Sequence, residues 1–420
     1  MRIPTGGSGL ISIALPGETK SSSGKLHAII AGAGIGGLTA ALALARAGLE
    51  VSVLERAAMI EEIGAGLQLS PNCSGILREY GVLDRLAECA LKPEALTVRR
   101  ARDGAQLIRM PLGVIAEMRW GAPYMLALRG DLQRALVEQI AREPSISIET
   151  GMTVAGFAAS SEGVEVAAKR GDSSLRLAGD FLIGADGLHS IVRKHIGLGL
   201  SDVPVYSGHT AWRALVDASD APPEALRLET TLWLGAKAHL VHYPLRDGSI
   251  VNVVAVTEDP WRGAETGDYW SAPADAAAVA ARFGHWHGQA RALVGAARHW
   301  RRWPLFDRNP VRRWTFSRVA LLGDAAHPLL PYLAQGAAQA IEDAHALGRA
   351  FTAHNEVIAA LQAYERQRVA RAGAVQTASR RQGRVYHLPA PAAQARDFGM
   401  RMLGTAGMLA RYDWLYQYHT

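Results

Sequence analysis

The sequence predicts an α/β protein: a parallel sheet with a crossover helix near its start, a second strand-rich region in its middle, and long helices towards its end. Three observations lead there. An apolar strand, a glycine turn and an alanine-rich helix follow one another from Leu26 to Gly48. Alternating apolar segments recur between Gly208 and Val256. Helical periodicity takes over after Gln335. At 420 residues, 49% of them apolar, the chain is long enough for two domains with buried cores.

Taken in order, the segment LHAIIAGAGIGGLTAALALARAGLEVSVLER reads as strand, turn, helix ending near Gly48, and a second strand closing at Glu55. The uncharged run from Ala28 to Ala45 has the length of a membrane span, but four glycines between Gly32 and Gly37 argue for the strand-turn-helix reading. A loop, EEIGAGLQLSPN, leads to short helices at Ser74 to Tyr80 and Asp84 to Cys89, then β-rich sequence from Thr97 to Met110 and a helix from Asp131 to Ala141. Ser145 to Thr150, Val154 to Ala159, Val164 to Lys169 and Ser174 to Ile183 read as four successive strands of an insert. Alternation in AWRALV, TLWLG, AHLVHYPL and IVNVVAV predicts a mostly antiparallel second sheet, fitting a separate substrate domain. Helices follow at Ala274 to Phe283 and Gln289 to Arg298, a short buried strand at Arg318 to Leu322, and long helices at Gln335 to Ala350 and Val357 to Thr377.

Composition narrows the function. The net charge of +6 is spread among scattered acids, so no basic stripe marks a nucleic-acid partner. Thirty-nine arginines against six lysines favour anionic ligands over Schiff-base chemistry. Cys73 and Cys89, without a neighbouring cysteine or histidine cluster, indicate neither a disulfide framework nor a metal site, and point to a reducing, cytoplasmic setting. The first 25 residues, rich in Gly and Ser, read as a flexible tail and not as a secretory leader. No membrane partner is expected.

Three motifs carry the chemistry. In Gly32-Ala33-Gly34-Ile35-Gly36-Gly37, the first glycine permits a tight turn. Gly34 lets backbone approach a pyrophosphate, and Gly37 lets helix and strand pack closely. Glu55, beside Arg56, ends the next strand eighteen residues after Gly37, where a carboxylate can accept ribose hydroxyls. The turn alone does not separate FAD from NAD. The second motif is Gly184-Ala185-Asp186-Gly187-Leu188-His189-Ser190-Ile191-Val192-Arg193. The third is Gly323-Asp324-Ala325-Ala326-His327-Pro328, and both follow apolar strands.

In this order the three motifs resemble the GxGxxG, DG and GD motifs of the aromatic hydroxylase family, the single-component (group A) flavoprotein monooxygenases, over nearly the whole chain from Lys25. The resemblance implies a Rossmann-like FAD-binding domain with a β-sheet substrate domain, as in p-hydroxybenzoate hydroxylase, and C-terminal helices. It divides the chain into a tail (1–25), an FAD-binding domain (26–95, 126–200 and 313–350), a substrate domain (96–125 and 201–312) and a helical C-terminal region (351–420). It makes the dinucleotide FAD, reduced transiently by NADH or NADPH, with O2 as co-substrate and a flavin C4a-hydroperoxide as oxidant. Asp186 and Gly187 are then expected near the pyrophosphate and the nicotinamide path, Asp324 on the ribityl chain, and Arg129 of LRGDL close to the flavin. Gly336 and Ala337, opening a long helix, are expected to offer N–H groups to the reduced flavin. No second GxGxxG follows a strand, in keeping with a family that lacks a separate nicotinamide domain.

The segments GAKAHLVHYPLRDG and YDWLYQY are most similar to the salicylate hydroxylases and 3-hydroxybenzoate 6-hydroxylases. That resemblance puts His239 and Tyr243 against the substrate phenol, and residues four apart on a strand share a face. A phenolate attacks an electrophilic oxygen better than a phenol, so a histidine that accepts the proton helps. His239 is the expected base and Tyr243 its orienting partner, whereas His242 lies on the opposite face. Pro331 stands where the 6-hydroxylases are expected to carry a polar side chain, and Arg213 or Arg246 is available for a substrate carboxylate. The expected reaction is hydroxylation of a small aromatic acid or phenol, and homodimerisation stays open. The alternatives are a heteroaromatic hydroxylase of the urate or 6-hydroxynicotinate type and a non-enzymatic flavin-binding redox module.

Overall fold

The structure, a computed structural model, describes residues 24–60, 66–198, 202–260 and 272–418. The expected N-terminal tail falls almost wholly outside these residues, as does part of the loop before Gly66.

Residues around the glycine turn build a six-stranded sheet in the order β18–β19–β11–β1–β2–β7. The strands β1 (His27–Ala31), β2 (Glu50–Glu55), β7 (Ile146–Thr150), β11 (Phe181–Gly184) and β19 (Val319–Leu321) are parallel, and β18 (Thr315–Phe316) runs antiparallel at the edge. β1 and β11 are continuous apolar runs because both faces of the sheet are buried, one under helices and the other under a small strand-rich insert. The crossover helix α1 (Ile35–Arg46) is buried on nearly every side, packed against α9 (Gly336–Ala353). At their contact a Cβ on Gly348 would come within 2.9 Å of the Ala43 carbonyl oxygen, so small residues set the helix spacing. The uncharged run is therefore strand plus buried helix, and no described helix is long and apolar enough to cross a membrane.

The strand-rich insert differs from its expected form at both ends. β8 (Thr153–Ala159), β9 (Val164–Arg170) and β10 (Ser173–Gly179) form a three-stranded antiparallel sheet. Ser145 to Thr150 instead joins the main sheet as β7 beside β2. Ser174 to Ile183 is two strands: the chain leaves β10 at Gly179–Asp180 and enters the main sheet as β11. Asp180 is pinned there, its carboxylate accepting the His27 N–H at 2.7 Å and its own N–H donating to the His27 carbonyl at 2.8 Å. Unbroken β-propensity hides that change of sheet, because hydrogen bonds to a distant strand decide it.

The second sheet has eight strands, in the order β16–β17–β12–β15–β14–β13–β4–β5. They are β4 (Ala95–Arg100), β5 (Gln106–Pro111), β12 (Val205–Asp217), β13 (Glu229–Gly235), β14 (Ala238–Leu245), β15 (Ile250–Glu258), β16 (Ala272–Ala274) and β17 (Trp300–Asp307). All neighbours are antiparallel except β13 and β4. One face packs on α7 (Ala276–Arg282) and α8 (Gly288–Ala296) through Trp212, Trp233, Phe283, Trp286 and Trp300. The other face looks towards the first sheet, with the pair β3 (Gly66–Leu69) and β6 (Met125–Leu128) alongside.

Short helices α2 (Pro71–Glu79), α3 (Leu83–Ala87), α4 (Gly113–Trp120), α5 (Arg129–Ile140) and α6 (Ile191–Ile196) complete the body. α4 was not legible in the sequence, since it buries only Ala116 and Trp120 and shows little periodicity. α10 (Val357–Tyr386) runs nine residues beyond the expected Thr377. Its polar end is held by tertiary contacts: Ser379 Oγ donates to the Leu330 carbonyl at 2.6 Å, and Gly383 sits so close to Tyr332 that a Cβ would meet the ring at 2.5 Å. α11 (Ala392–Ala410) and α12 (Asp413–Tyr416) close the described chain.

Candidate active site

A cavity of about 650 Å3 lies between the two sheets, within the range of small-molecule and cofactor sites. One wall is the glycine turn. Gly32 has φ +103°, and a Cβ there would approach the Ala185 carbonyl oxygen to 2.5 Å, which ties the first motif to the second. Gly37 faces inward: a Cβ would lie 2.0 Å from the Gly32 carbonyl oxygen, so it spaces helix and turn and does not line the cavity. Gly34 does the reverse. It is the N-cap of α1, and a Cβ on it would meet no protein atom within 4 Å. Glu55 and Arg56 line the same wall. The Glu55 carboxylate accepts the Ala33 N–H at 2.7 Å and the Ala57 N–H at 2.8 Å, holding the turn against the end of β2.

The other two motifs meet this wall. Asp186 accepts the Ile191 and Val192 N–H groups through Oδ2, at 2.7 and 3.2 Å, and so starts α6. Its Oδ1 is buried with no partner, and burial raises its carboxyl above the ordinary value. Arg193, buried at the far end of the motif, donates to the Ala325 and Ala326 carbonyls at 2.8 and 2.7 Å and pairs with Asp202, locking the second motif to the third. Asp324 opens on the cavity yet sits deep in the protein. That depth raises its carboxyl, opposed by the charges of Arg129 and His327. Arg129, Gly187, Gly336 and Ala337 also line the space, the last two at the amino end of α9.

Behind the third motif lies a buried ionic cluster that sequence reasoning missed. The Asp343 carboxylate accepts the Gly323 N–H at 3.0 Å and contacts His327 Nε2 at 2.5 Å. Arg368, fully buried on α10, pairs with Asp343 at 2.6 Å and Glu342 at 2.5 Å, and Glu342 also accepts from Asn72 at 2.7 Å. In the sequence these are ordinary charges on helical segments. Only packing of α10 on α9 brings them together.

Strand register builds the opposite wall. Arg213, Val254 and Val241 stand in one row across β12, β15 and β14, and Val256 and His239 in the next. Residues opposite one another share a face, so Arg213, His239, Val241 and Tyr243 all look into the cavity. His242, one residue out of phase, lies on the far face among Arg99, Thr231 and Trp233, and burial lowers its pKa to about 3. His239 is 3% exposed and its Nδ1 lies 2.8 Å from Nε2 of His387, at the end of α10. Burial, then the His387 and His209 rings, push its pKa well below 6.5, so it stands neutral. Burial raises the Tyr243 hydroxyl, which keeps its proton. Tyr243 packs with Asn252 against Gly66, where a Cβ would meet Asn252 at 2.6 Å and the Tyr243 hydroxyl at 2.7 Å. Pro331 lines the cavity at the start of a short turn, whereas Arg246 is half exposed, lies 3.4 Å from Asp131 and does not line it. His387, Asn252 and the cavity-lining Gln68 had no sequence signal as site residues. Val241 had one, its parity with His239.

Known proteins resemble this chain over nearly its whole length. The family model described as an FAD binding domain matches residues 25–379. The chain is 38% identical over 401 residues to the 3-amino-4-hydroxybenzoate 2-monooxygenase PtmB3 of Streptomyces platensis, covering 95% of this chain and 97% of that one. It is 34% identical over 396 residues to the 3-hydroxybenzoate 6-hydroxylase of Klebsiella oxytoca, covering 93% and 96%. The structure of Klebsiella pneumoniae HpxO complexed with FAD and uric acid superposes with a TM-score of 0.80 at 28% identity, over 92% of this chain and 95% of the other.

Proposed function

Because the chain belongs to the FAD-dependent aromatic hydroxylases, the group A flavoprotein monooxygenases, we propose that it hydroxylates a small aromatic acid or phenol of the hydroxybenzoate type, using NADH or NADPH and O2. One observation carries the reading. A neutral histidine, a protonated tyrosine and an arginine share one cavity with the glycine turn and both aspartate motifs. The site fits FAD on its own terms: a Cβ on Gly34, Gly187 or Gly336 would meet no protein atom, and Asp186 Oδ1 is buried without a partner. Gly34 and the amino end of α1 would hold the pyrophosphate, Glu55 the adenosine ribose, Asp324 the ribityl chain, and Arg129 with the amino end of α9 the flavin ring.

Bound FAD, once reduced, supplies an electrophilic oxygen from O2. The protein's own part is to present an electron-rich ring to it. His239 accepts the substrate's phenolic proton at the ring nitrogen not engaged by His387, and Tyr243 donates to the substrate oxygen. Arg213 pairs with the carboxylate. Val241, Val254 and Val256 keep water from the ring, which strengthens each of these polar contacts. A heteroaromatic substrate of the urate type is the second reading, favoured by the likeness to HpxO with uric acid. A cytoplasmic setting fits a nicotinamide-dependent reductive half-reaction.

The test is a screen of hydroxybenzoates, aminohydroxybenzoates and urate for accelerated NADH oxidation with the product identified, followed by single-turnover kinetics of His239→Ala. Loss of about 100-fold or more in hydroxylation, with flavin reduction unchanged, is the expected result for a removed base. Equal slowing of both steps, or a substrate turned over at the parent rate, would remove His239 from this role.

A further inference from the structure

One row beyond His239, the cavity-facing side of the second sheet carries a second cluster. His209 on β12 and Glu258 on β15 are directly paired across the sheet, so their side chains share a face. His387 docks beside them at the end of α10. The Lys237 N–H donates to the His387 carbonyl at 3.0 Å, and the Glu258 N–H donates to the Lys237 carbonyl at 2.9 Å, so backbone hydrogen bonds fix the three residues relative to one another. A donor atom from each of His209, Glu258 and His387 lies within 4.8 Å of the others. The two imidazole rings are 4.9 Å apart, centre to centre.

Two features single this cluster out among the described residues. The Nδ1 atoms of both His209 and His387 are buried with no hydrogen-bond partner, and unsatisfied buried polar atoms are uncommon unless a water or ion completes them. The other ring nitrogen of His387 is held by His239 at 2.8 Å. A histidine anchored through one nitrogen and open at the other is the usual arrangement of a metal ligand. Two imidazoles and a carboxylate are a ligand set for Zn2+ and neighbouring divalent transition metals. A tetrahedral site with bonds of about 2.1 Å needs donors about 3.4 Å apart, so the donors must close by at most about 1.4 Å. Glu258 is exposed and its contact with Lys237, at 3.6 Å, is weak, so that side chain is free to make the adjustment.

We propose that His209, Glu258 and His387 bind a divalent transition-metal ion that switches hydroxylation off through His239. Ligation at His387 Nδ1 obliges its Nε2 to carry the hydrogen and donate it to His239 Nδ1. Neutral His239 then carries its own hydrogen on Nε2 and has no lone pair for the substrate proton. Without the ion, His387 accepts at Nε2, His239 donates from Nδ1, and His239 Nε2 is open. The coupling to turnover rests on the reading of His239 as the base, but binding does not.

The test uses the FAD-loaded protein with Zn2+ alone as the probe. Calorimetry should find one Zn2+ per chain, lost in His209→Ala and weakened at least about tenfold in the exposed-residue variant Glu258→Gln. No binding to the parent, or binding unchanged in both variants, overturns the site. Zn2+ should slow hydroxylation, leave flavin reduction unchanged and be reversed by a chelator. His209→Ala, compared with its own metal-free turnover, should be insensitive. Inhibition persisting in that variant overturns the assignment of the effect to this cluster. Binding without inhibition overturns the switch and keeps the site. The base reading fails separately, if His239→Ala turns over normally in the absence of metal.

Discussion

Gly34 and Gly37, three residues apart in one turn, should fail in different ways. Gly34 has φ −68° and ψ 175°, an extended conformation open to β-branched residues, and its Cβ would meet nothing within 4 Å. Gly34→Val should therefore change the stability of the cofactor-free protein by no more than about 0.5 kcal/mol. The same side chain fills the space where backbone N–H groups would meet a pyrophosphate. Losing two charge-assisted hydrogen bonds at about 1.5–3 kcal/mol each costs roughly 3–6 kcal/mol, or about 140- to 20,000-fold in FAD affinity. Gly37→Ala puts a Cβ 2.0 Å from the Gly32 carbonyl oxygen, a backbone atom that cannot turn aside. Prising helix from turn should cost at least about 1–3 kcal/mol in the cofactor-free protein, besides weakening FAD. FAD titration by fluorescence quenching, with thermal and urea unfolding of both apoproteins, separates the two. A Gly34→Val protein that binds FAD like the parent, or that unfolds like Gly37→Ala, would refute this account of the turn.

Gly66→Ala should push on the Tyr243 hydroxyl and Asn252, lowering hydroxylation by about tenfold or more with flavin content unchanged; normal turnover would show that the β3 contact does not position Tyr243. Arg368→Met leaves the buried carboxylates of Glu342 and Asp343 short of a partner and should destabilise the protein by about 3–5 kcal/mol in urea, and a neutral effect would mean that the cluster relaxes or takes up protons. Burial raises the Asp343 carboxyl, but His327 and Arg368 outweigh it and bring it to about 2, below its unfolded value of 3.8. The unfolded state therefore binds more protons. This contribution, on the order of 2 kcal/mol, is complete above about pH 4 and lost as pH falls towards 2. Asp343→Asn should flatten the unfolding free energy over that window, and an unchanged slope would assign acid sensitivity elsewhere.

How much was legible varies by element. The glycine turn was readable because its demands are local: a positive φ at Gly32, a close approach at Gly37 and a carboxylate at the end of the next strand. His239 and Tyr243 were placed on one face by the period of a strand alone, with His242 on the other. Arg246, the first residue after that strand ends at Leu245, was beyond such reasoning. It takes a positive φ at the turn after β14 and leaves the cavity wall. The split of Ser174 to Ile183 between two sheets was equally hidden, because both halves are good strands and only the partner differs.

By itself the sequence determined the things that depend on neighbours a few residues apart: the strand-turn-helix unit, the aspartate turns and the alternation of β14. These are set by backbone stereochemistry and side-chain period, which act over short stretches of chain. Tertiary structure decided what long separations bring together. His387 reaches His239 across 148 residues, and Arg368 reaches Asp343 from another helix. Those contacts follow from how α10 packs across both sheets. No local rule encodes that packing, because it is the shared solution of many weak apolar contacts, and the polar groups it buries must then find one another.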